Sequence, residues 1–321
     1  MVAMNLVAAK SRRCILNVAP AGCGKSTATN IVFNLLKPRV ARYGSITLAG
    51  LHFLQGELKN FEGTIVIDDL GAEKSTWSRV ATVSTLAHLT YSHEVSKYTQ
   101  SLQLKIDNFN GSVAFNVQPV LMQSLLESDD WVAVIRDKII RYYHLVRPIK
   151  PQINLPECEI DWGVDYTAVK IGEFKGKWYW KLFQQGLLEW SAARCNEHIP
   201  AMLKSCAALD GRTKVQLSDY VILSRLMKNF TLERHMVETY GFESARQFLQ
   251  NAYYMLVEMA SFPHLTHEQI AVDYKVSVRT VERLLGNVID YCFVKQNEHK
   301  RIEQTDYAKY ILEASGVYDK W

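Results

Sequence analysis

The stretch RCILNVAPAGCGKSTATNIVFNLL, residues 13–36, decides the fold of this chain. Its beginning, RCILNVA, is a short apolar run typical of a buried strand, and its end, TATNIVFNLL, has apolar residues at helical spacing. Between them lies a loop that contains two glycines, a lysine and a serine. Strand, glycine-rich loop and helix in this order predict a phosphate-binding loop, and a chance match to the short pattern is the alternative.

The residue types in the loop indicate which ligand it binds. Gly22 and Gly24 allow backbone N–H groups to turn towards an anion. Lys25 can reach the β- and γ-phosphates of a nucleotide, and Ser26 can ligate Mg²⁺. We therefore predict ATP and Mg²⁺ as ligands. The residues predicted to bind the nucleotide are Ala19, Pro20, Ala21, Gly22, Cys23, Gly24, Lys25, Ser26 and Thr27, of which Ala19 replaces the first glycine of the usual pattern.

A second predicted strand, TIVIDD (64–69), ends in two carboxylates. Strands of a parallel sheet are continuous apolar runs, and ligands bind at their carboxyl ends. Asp68 is therefore predicted to hold Mg²⁺ through its water shell, and Asp69 to orient the attacking water as a general base. The alternative interpretation is a pair of helix-capping aspartates.

A third apolar segment, GSVAFN (111–116), also ends in a polar residue. Asn116 can hydrogen-bond the attacking water or the γ-phosphate, although asparagine at a strand end is often only a turn former. The three segments together predict an α/β fold built on a parallel P-loop sheet.

The composition excludes several classes of protein. The chain has 321 residues, 48% of them hydrophobic, which is enough for two or three compact domains. It contains no run of about 18 apolar residues, so we expect no membrane partner. The six cysteines never form a CxxC pair, which argues against disulfides and zinc and favours a reducing cytosol. We therefore expect a cytoplasmic protein.

Positive charge is concentrated in one part of the chain. Residues 1–150 carry a formal charge of +6, whereas residues 151–262 and 263–321 each carry −1. Attraction to a polyanion should therefore come from the first segment. These ranges are also the predicted domains: an ATPase core, a linker and helical lid with following helices, and a winged-helix domain.

The three strand motifs resemble those of an AAA+ ATPase. APAGCGKST (19–27) resembles Walker A, TIVIDD resembles Walker B, and SVAFN (112–116) resembles the sensor-1 strand. The segment IDDLGAEKSTW (67–77) is similar to the stretch after Walker B in helicase loaders of the DnaC/IstB type. This resemblance implies ATP hydrolysis and assembly into a homo-oligomeric ring or filament, in which an arginine of one subunit completes the site of its neighbour.

The resemblance also places an arginine finger in VIRDKIIRYYHLVRP (134–148), just before a final strand. Lys138 occupies the usual arginine position, so we expect Arg141 or Arg136 to act as the finger. A planar guanidinium neutralises a transferring phosphate better than an ammonium group does. A solvated basic surface is the alternative.

A fourth resemblance lies further along the chain. Ser191-Ala-Ala-Arg194, followed by Gly211 at a distance of 17 positions, resembles the lid of the MoxR and MCM branch of AAA+ proteins. It implies that Arg194 reaches the nucleotide as sensor 2. An ordinary residue in the first turn of a helix is the alternative interpretation of Arg194.

The middle of the chain gives weaker signals. GEFKGKWYW (172–180) has the character of a hairpin. EIDWGVDYTAVKIG (159–172) resembles a terminase nuclease strand, in which Asp161 and Asp165 would bind two metal ions. Connecting structure is the favoured interpretation of that segment.

The C-terminal segment 265–285 predicts a helix, a turn and a second helix. Thr266 and Gln269 form a predicted capping box for the first helix, and Ser277 caps the second. The residues expected to be buried are Ile270, Ala271, Val276, Val281, Leu284 and Leu285. Residues 292–305 can form two strands joined by a polar loop, which completes the pattern of a winged helix.

A winged helix can place its second helix in the major groove of DNA. The predicted DNA contacts are Arg279, Thr280, Arg283 and Asn287 on that helix, and Lys295, Lys300 and Arg301 on the wing. The alternative is protein contact, because the segment carries a net charge of −1.

The sequence therefore predicts an ATPase that remodels a DNA-bound complex, as helicase loaders, replication initiators and transposition regulators do. Its partners would be DNA and a protein client such as a helicase or recombinase. A MoxR-like chaperone acting on protein and a DNA-packaging motor are the alternatives. A compact core that begins near residue 13 would suit a virus or a mobile element as well as a cell.

Overall fold

A computed structural model of the chain describes most of the first 227 residues and several short segments near the C-terminus. The described residues are 1–35, 39–70, 75–98, 103–129, 131, 135–144, 162–172, 176–227, 266–273, 275–282, 294–296, 298 and 301–305. Within these ranges, no helix is long and apolar enough to cross a membrane.

Ten helical segments and nine strands lie within the described residues. The helices are α1 (Val2–Lys10), α2 (Lys25–Leu35), α3 (Leu48–Leu58), α4 (Thr76–Ser92), α5 (Pro119–Leu126), α6 (Lys177–Leu187), α7 (Ala192–Leu209), α8 (217–227), α9 (His267–Asp273) and α10 (278–282). The strands are β1 (Cys14–Val18), β2 (Val40–Tyr43), β3 (Thr64–Ile67), β4 (Val95–Tyr98), β5 (Gln103–Ile106), β6 (Ser112–Val117), β7 (Ile139–Tyr143), β8 (Val294–Gln296) and β9 (Ile302–Gln304). Two short 3-10 helices cover Arg136–Lys138 and Tyr166–Ala168.

The chain divides into two compact units. The first comprises residues 1–144 and 156–235, and the second comprises 145–155 and 236–321. The predicted lid helices α6 and α7 therefore belong to the same unit as the sheet.

A five-stranded parallel sheet forms the centre of the first unit, which confirms the predicted α/β fold class. Its strand order is β2-β3-β6-β1-β7. The strand that contains Asn116, which extends to Val117, thus lies between the P-loop strand and the strand that precedes Asp68. Because all five strands run in the same direction, the three predicted motifs meet at one edge of the sheet.

Helices cover both faces of this sheet. On one face, α1 and α2 pack against the central strands, and α7 packs against α1 and α6. On the other face, α4 packs against β1 and β6. The shared core of the first face includes Met4, Val7, Ala8, Ile15, Val66, Ala114, Ile140, Ile199, Met202 and Leu203.

Three hydrogen bonds anchor the start of α7 beside β7. The indole N–H of Trp190 donates to the carbonyl of Ile139 at 2.9 Å, and the backbone N–H of Ser191 donates to Oδ1 of Asp137 at 3.0 Å. Nε2 of His198 lies 2.9 Å from the carbonyl of Asp137. Burial lowers the pKa of His198 to about 3, so the neutral ring donates this hydrogen bond at neutral pH.

The Gly-Arg pair of the predicted lid motif forms a turn after α7. Gly211 has a φ of 66°, a left-handed conformation that glycine adopts without strain. The guanidinium of Arg212 binds both carboxylate oxygens of Asp219, at 2.6 and 3.0 Å. The hydrogen bonds to Asp219 raise the pKa of Arg212. In this chain, the motif therefore fixes the connection between α7 and α8.

A feature that the sequence did not predict is a hairpin between α4 and β6. Strands β4 and β5 pair antiparallel, with Val95 opposite Ile106, and β5 packs against α3.

The second unit contains the predicted caps and strand pair. Gln269 Oε1 accepts a hydrogen bond from the backbone N–H of Thr266 at 2.9 Å, and the backbone N–H of Gln269 donates to Thr266 Oγ1 at 3.4 Å. These two reciprocal hydrogen bonds form the predicted capping box. The Ser277 hydroxyl accepts from the N–H of Thr280, as predicted. Val276 was expected to be buried, but it is 39% exposed because it lies in the turn before α10. Strands β8 and β9 pair antiparallel. A complete winged helix stays a prediction.

The predicted buried set of this unit is otherwise confirmed where it is described. Ile270, Ala271 and Val281 are buried, whereas Leu284 and Leu285 lie outside the described residues.

A buried ion pair ties β7 to the segment between α6 and α7. Arg141 Nε donates to Glu189 Oε1 at 2.7 Å, and Nη2 donates to Oε2 at 3.3 Å. The two side chains are 1% and 0% exposed. The guanidinium also lies 5.6 Å from the ring centre of Trp131. Such a pair is expensive to break, because either partner alone would be a buried uncompensated charge.

We expect Arg141→Met to lower the free energy of unfolding by about 3–5 kcal/mol, because it leaves the Glu189 carboxylate buried without its partner. The double variant Arg141→Met with Glu189→Met removes both charges, so its free energy of unfolding should fall clearly less. Urea denaturation of the two variants measures the difference. An equal loss in both would contradict this assignment of the pair.

Candidate nucleotide-binding site

The predicted phosphate-binding loop has the geometry that an anion requires. Gly22 and Gly24 have φ values of 76° and 79°, in the left-handed region that favours glycine. The loop leads directly into α2, which begins at Lys25. The first N–H groups of a helix have no acceptor within the helix and carry a partial positive charge, so they can bind a phosphate.

A cleft of about 330 Å³ lies above this loop at the carboxyl edge of the sheet. Its lining residues are Ala21, Gly22, Gly24, Lys25, Ser26, Thr27, Asp68, Asp69, Asn116 and Gln118. The structure therefore brings together residues from all three strand motifs. Gln118 is an addition that the sequence did not predict.

Lys25 turns its ammonium group into the loop. It donates to the carbonyl oxygens of Ala19 and Pro20, the latter at 2.9 Å. Burial lowers the pKa of Lys25, and the nearby Cys23 and Asp69 act in the opposite direction. The ammonium group thus lies among loop carbonyls, where it could exchange one of them for a phosphate oxygen.

Both oxygens of Asp68 have partners. Asn116 Nδ2 donates to Oδ1 at 2.9 Å. Arg42, from the neighbouring strand β2, donates to Oδ2 from Nε at 2.7 Å and from Nη2 at 2.6 Å. Asp69 is exposed and lines the cleft. Asp68 is thus held in place, whereas Asp69 faces the space where a water molecule could be oriented.

A buried network of amide side chains contacts Asn116. Asn17 of β1 is the register partner of Asn116, and its Nδ2 lies 3.4 Å from Asn116 Oδ1. Asn17 also exchanges two hydrogen bonds with Asn5 of α1, at 2.9 and 3.0 Å. Asn116 Nδ2 in addition donates to Thr29 Oγ1 at 3.1 Å. These contacts orient the amide of Asn116 so that one N–H donates to Asp68 and the other to Thr29.

The residues present fit a magnesium nucleotide. The part of the chain that the structure describes holds no cluster of three His, Cys, Asp or Glu side chains able to bind a metal by itself. Mg²⁺ bound together with a nucleotide needs only one or two protein oxygens, since phosphates and water supply the others. Ser26 and Asp68 line the same cleft and can supply these oxygens.

The structure contradicts one of the two predicted arginine fingers. Arg141 is 1% exposed and paired with Glu189 inside its own chain, so it cannot extend to a neighbouring subunit. Arg136 is partly buried, with Nε 3.3 Å from the carbonyl of Glu189. Lys138 Nζ lies 3.1 Å from Nδ1 of His88, and burial lowers the pKa of Lys138.

Arg194 does not reach the cleft, which contradicts its prediction as sensor 2. Its guanidinium lies 4.1 Å from the ring centre of Tyr91, near the end of α4, and hydrogen-bonds the Tyr91 hydroxyl and Glu197. Burial lowers the pKa of Arg13, just before β1, and the positive charge of Arg194 lowers it further. A five-residue strand such as β1 spans about 17 Å. Arg194 therefore lies at the amino edge of the sheet, opposite the P-loop.

The remaining predicted residues lie elsewhere. Asp165 accepts hydrogen bonds from Arg12 at 3.0 Å and from the N–H of Thr167 at 2.9 Å, and Asp161 lies outside the described residues. This capping role agrees with connecting structure.

The predicted DNA contacts are described only in part. Arg279 and Arg301 are exposed, and Thr280 hydrogen-bonds Ser277 through its hydroxyl at 2.9 Å. Arg283, Asn287 and Lys300 lie outside the described residues.

Three residues around Asp68 and Asn116 belong to none of the predicted motifs: Arg42, Asn17 and Asn5. Asn17 left a signal, because it is a polar residue inside an otherwise apolar strand and faces the same side as Asn116. Arg42 left no signal in the sequence, because its contact with Asp68 exists only when β2 lies beside β3.

Comparisons with known proteins add little to this geometry. No protein-family model matches the chain, and no curated protein matches it. Among solved structures, the chain is similar to a protein from Cytophaga hutchinsonii described as a “putative ATPase”, with 13% sequence identity and a TM-score of 0.44. The aligned part covers 71% of this chain and 80% of the other.

We expect Asn17→Leu to lower the free energy of unfolding by about 1–3 kcal/mol, because Oδ1 of the buried Asn5 amide loses the donor that Asn17 supplies. The double variant Asn5→Leu with Asn17→Leu should lose less than the sum of the two single variants, since it removes the pair together. Chemical denaturation of the three variants measures this. Strict additivity would show that the two amides do not interact.

Proposed function

We propose that this protein is a Mg²⁺-dependent ATPase of the AAA+ type. The observation that carries the proposal is the convergence of Lys25, Ser26, Asp68, Asp69 and Asn116 on one cleft at the carboxyl edge of a parallel sheet. These residues come from three separate segments of the chain, and each has the chemistry that one part of a nucleotide site requires.

Each side chain has a distinct task in this proposal. The loop N–H groups and Lys25 bind the phosphates, while Ser26 and Asp68 hold the metal ion. Bound there, Mg²⁺ would supply positive charge to neutralise the phosphate oxygens. Asp69 orients the attacking water and accepts its proton. Asn116, whose two N–H donors bind Asp68 and Thr29, fixes the Asp68 carboxylate beside the metal ion.

Lys25→Ala should reduce ATP turnover by about 10²–10³-fold, because it removes the positive charge nearest the transferred phosphate. Phosphate release by the purified full chain measures turnover, and binding of a fluorescent ATP analogue measures affinity. Lys177→Ala, at an exposed lysine on α6, is the matched control and should leave both unchanged. Full turnover in Lys25→Ala would refute the assignment of the P-loop.

We further propose that ATP turnover is coupled to the remodelling of a DNA-bound complex by a ring or filament of this chain. The resemblance of the Walker B region to helicase loaders and the helix–turn–helix caps of the second unit support this role. Arg136 remains the proposed source of an arginine in trans. A protein-remodelling ATPase is the second candidate, and the resemblance of residues 191–211 to MoxR proteins favours it.

DNA separates these two candidates. Stimulation of ATP turnover by single- or double-stranded DNA, fading as salt rises, would support the first. Arg279→Ala with Arg283→Ala should then weaken DNA binding by about 1–3 kcal/mol per residue. Fluorescence anisotropy at two salt concentrations measures this, with Arg225→Ala, an exposed arginine of the first unit, as the control. Turnover and affinity that do not respond to DNA would favour a protein client.

A further inference from the structure

The contact between Arg42 and Asp68 is the feature of the cleft that the proposed function leaves unexplained. Arg42 lies on β2, the outermost strand beside β3, and its register partner is Val66. Side chains alternate along a strand, so Arg42 and Asp68 project from the same face of the sheet. Both N–H donors of the contact, Nε and Nη2, reach the same carboxylate oxygen, Oδ2.

We propose that Arg42 is a built-in counter-ion that competes with Mg²⁺ for Asp68 and thereby sets the concentration of Mg²⁺ at which the site is loaded. This inference rests on the proposed ATPase function. Asn116 donates one hydrogen bond to Oδ1 of Asp68, whereas Oδ2 accepts two from Arg42, so Arg42 fully engages one of the two oxygens that a metal ion or its water shell could use. While Arg42 stays on Oδ2, that oxygen is engaged and the charge of the carboxylate is neutralised, so Asp68 serves the metal ion better once Arg42 has left.

The exposure of the pair makes such an exchange possible. The side chain of Arg42 is 44% exposed and that of Asp68 is 23% exposed. Ion pairs at this degree of exposure are weak and screened by salt, so the guanidinium can return to solvent at little cost. The buried pair of Arg141 and Glu189 on the opposite edge strand could not separate in this way, because neither partner has access to water.

The competition gives the site a defined order of loading. With Arg42 in place, the carboxylate of Asp68 is neutralised, which disfavours the binding of a free cation. A magnesium nucleotide brings phosphate contacts to the P-loop at the same time, and these contacts offset the loss of the Arg42 pair. Arg42 is therefore a positioning residue: it acts on the metal ion through Asp68.

The Mg²⁺ dependence of nucleotide binding tests this role. The full-length protein would be titrated with Mg²⁺ at a fixed concentration of a fluorescent ATP analogue. We expect Arg42→Gln to lower the half-saturating Mg²⁺ concentration about two- to fivefold, the range that corresponds to a partly exposed ion pair. Arg42→Lys keeps a cation beside Asp68 and should stay close to the unaltered protein.

Arg12→Gln is the matched control, because Arg12 also pairs with an aspartate, Asp165, at 3.0 Å but at the amino edge of the sheet. It should leave the half-saturating Mg²⁺ concentration unchanged. In a background of Asp68→Asn, Arg42→Gln should have no further effect, since the substitution acts through Asp68. Thermal unfolding without nucleotide verifies that the variants are folded.

The possible results separate two kinds of failure. If the unaltered protein binds no nucleotide, the proposed ATPase function is wrong and the role of Arg42 falls with it. If it binds nucleotide but Arg42→Gln leaves the half-saturating Mg²⁺ concentration unchanged or raises it, only the role of Arg42 is refuted. An equal shift in Arg12→Gln would also refute it, because the effect would then reflect general charge.

Discussion

The position of β6 between β1 and β3 is the constraint on which the candidate site depends. Asn116 can contact Asp68 on one side and Asn17 on the other only because its strand separates the P-loop strand from the Walker B strand. In-register pairing of Asn17 with Asn116 places both amides on the same face. The sheet thus converts three distant segments of sequence into one hydrogen-bonded unit.

The buried amides make this arrangement sensitive to packing far from the cleft. Asn5, Asn17 and Asn116 are all at most 3% exposed. A buried amide that loses its partner costs more than a hydrogen bond contributes when it forms, so such a network is stable only when complete. Because Asn5 belongs to α1, the helix before the P-loop strand takes part in orienting the amide next to Asp68. We regard α1 as part of the site for this reason.

Sequence patterns predicted those parts of the molecule that depend on local chemistry. Neighbouring residues alone predict the P-loop, the strand before Asp68, the strand that contains Asn116 and the capping box at Thr266. Helix α1 escaped prediction because it is buried on most sides and therefore lacks the polar face that marks a surface helix. The hairpin character of residues 172–180 does not hold over its second half, because α6 begins at Lys177 and its apolar side joins the core with α7.

The errors at the site have a common physical origin. The spacing of the motif predicts the position of Arg194 along α7. The location of α7 itself depends on tertiary contacts such as that of His198 with Asp137. Likewise, a basic residue next to a final strand can face solvent or the core, and Arg141 faces the core. Patterns within one segment do not contain the packing between segments.

Two arginine–carboxylate pairs on opposite edge strands show how burial alone can assign different roles to the same chemistry. Arg141 and Glu189 on the β7 side have no access to water. Separating them would leave uncompensated charges in the core, so this pair stays formed in the folded protein. Arg42 and Asp68 on the β2 side are partly exposed, so water can replace either partner and a metal ion can replace Arg42. Asp68 consequently has one fixed contact, to Asn116, and one exchangeable contact, to Arg42. A carboxylate with this combination keeps its position while its charge becomes available, and a metal ligand in an ATP-binding site needs both properties.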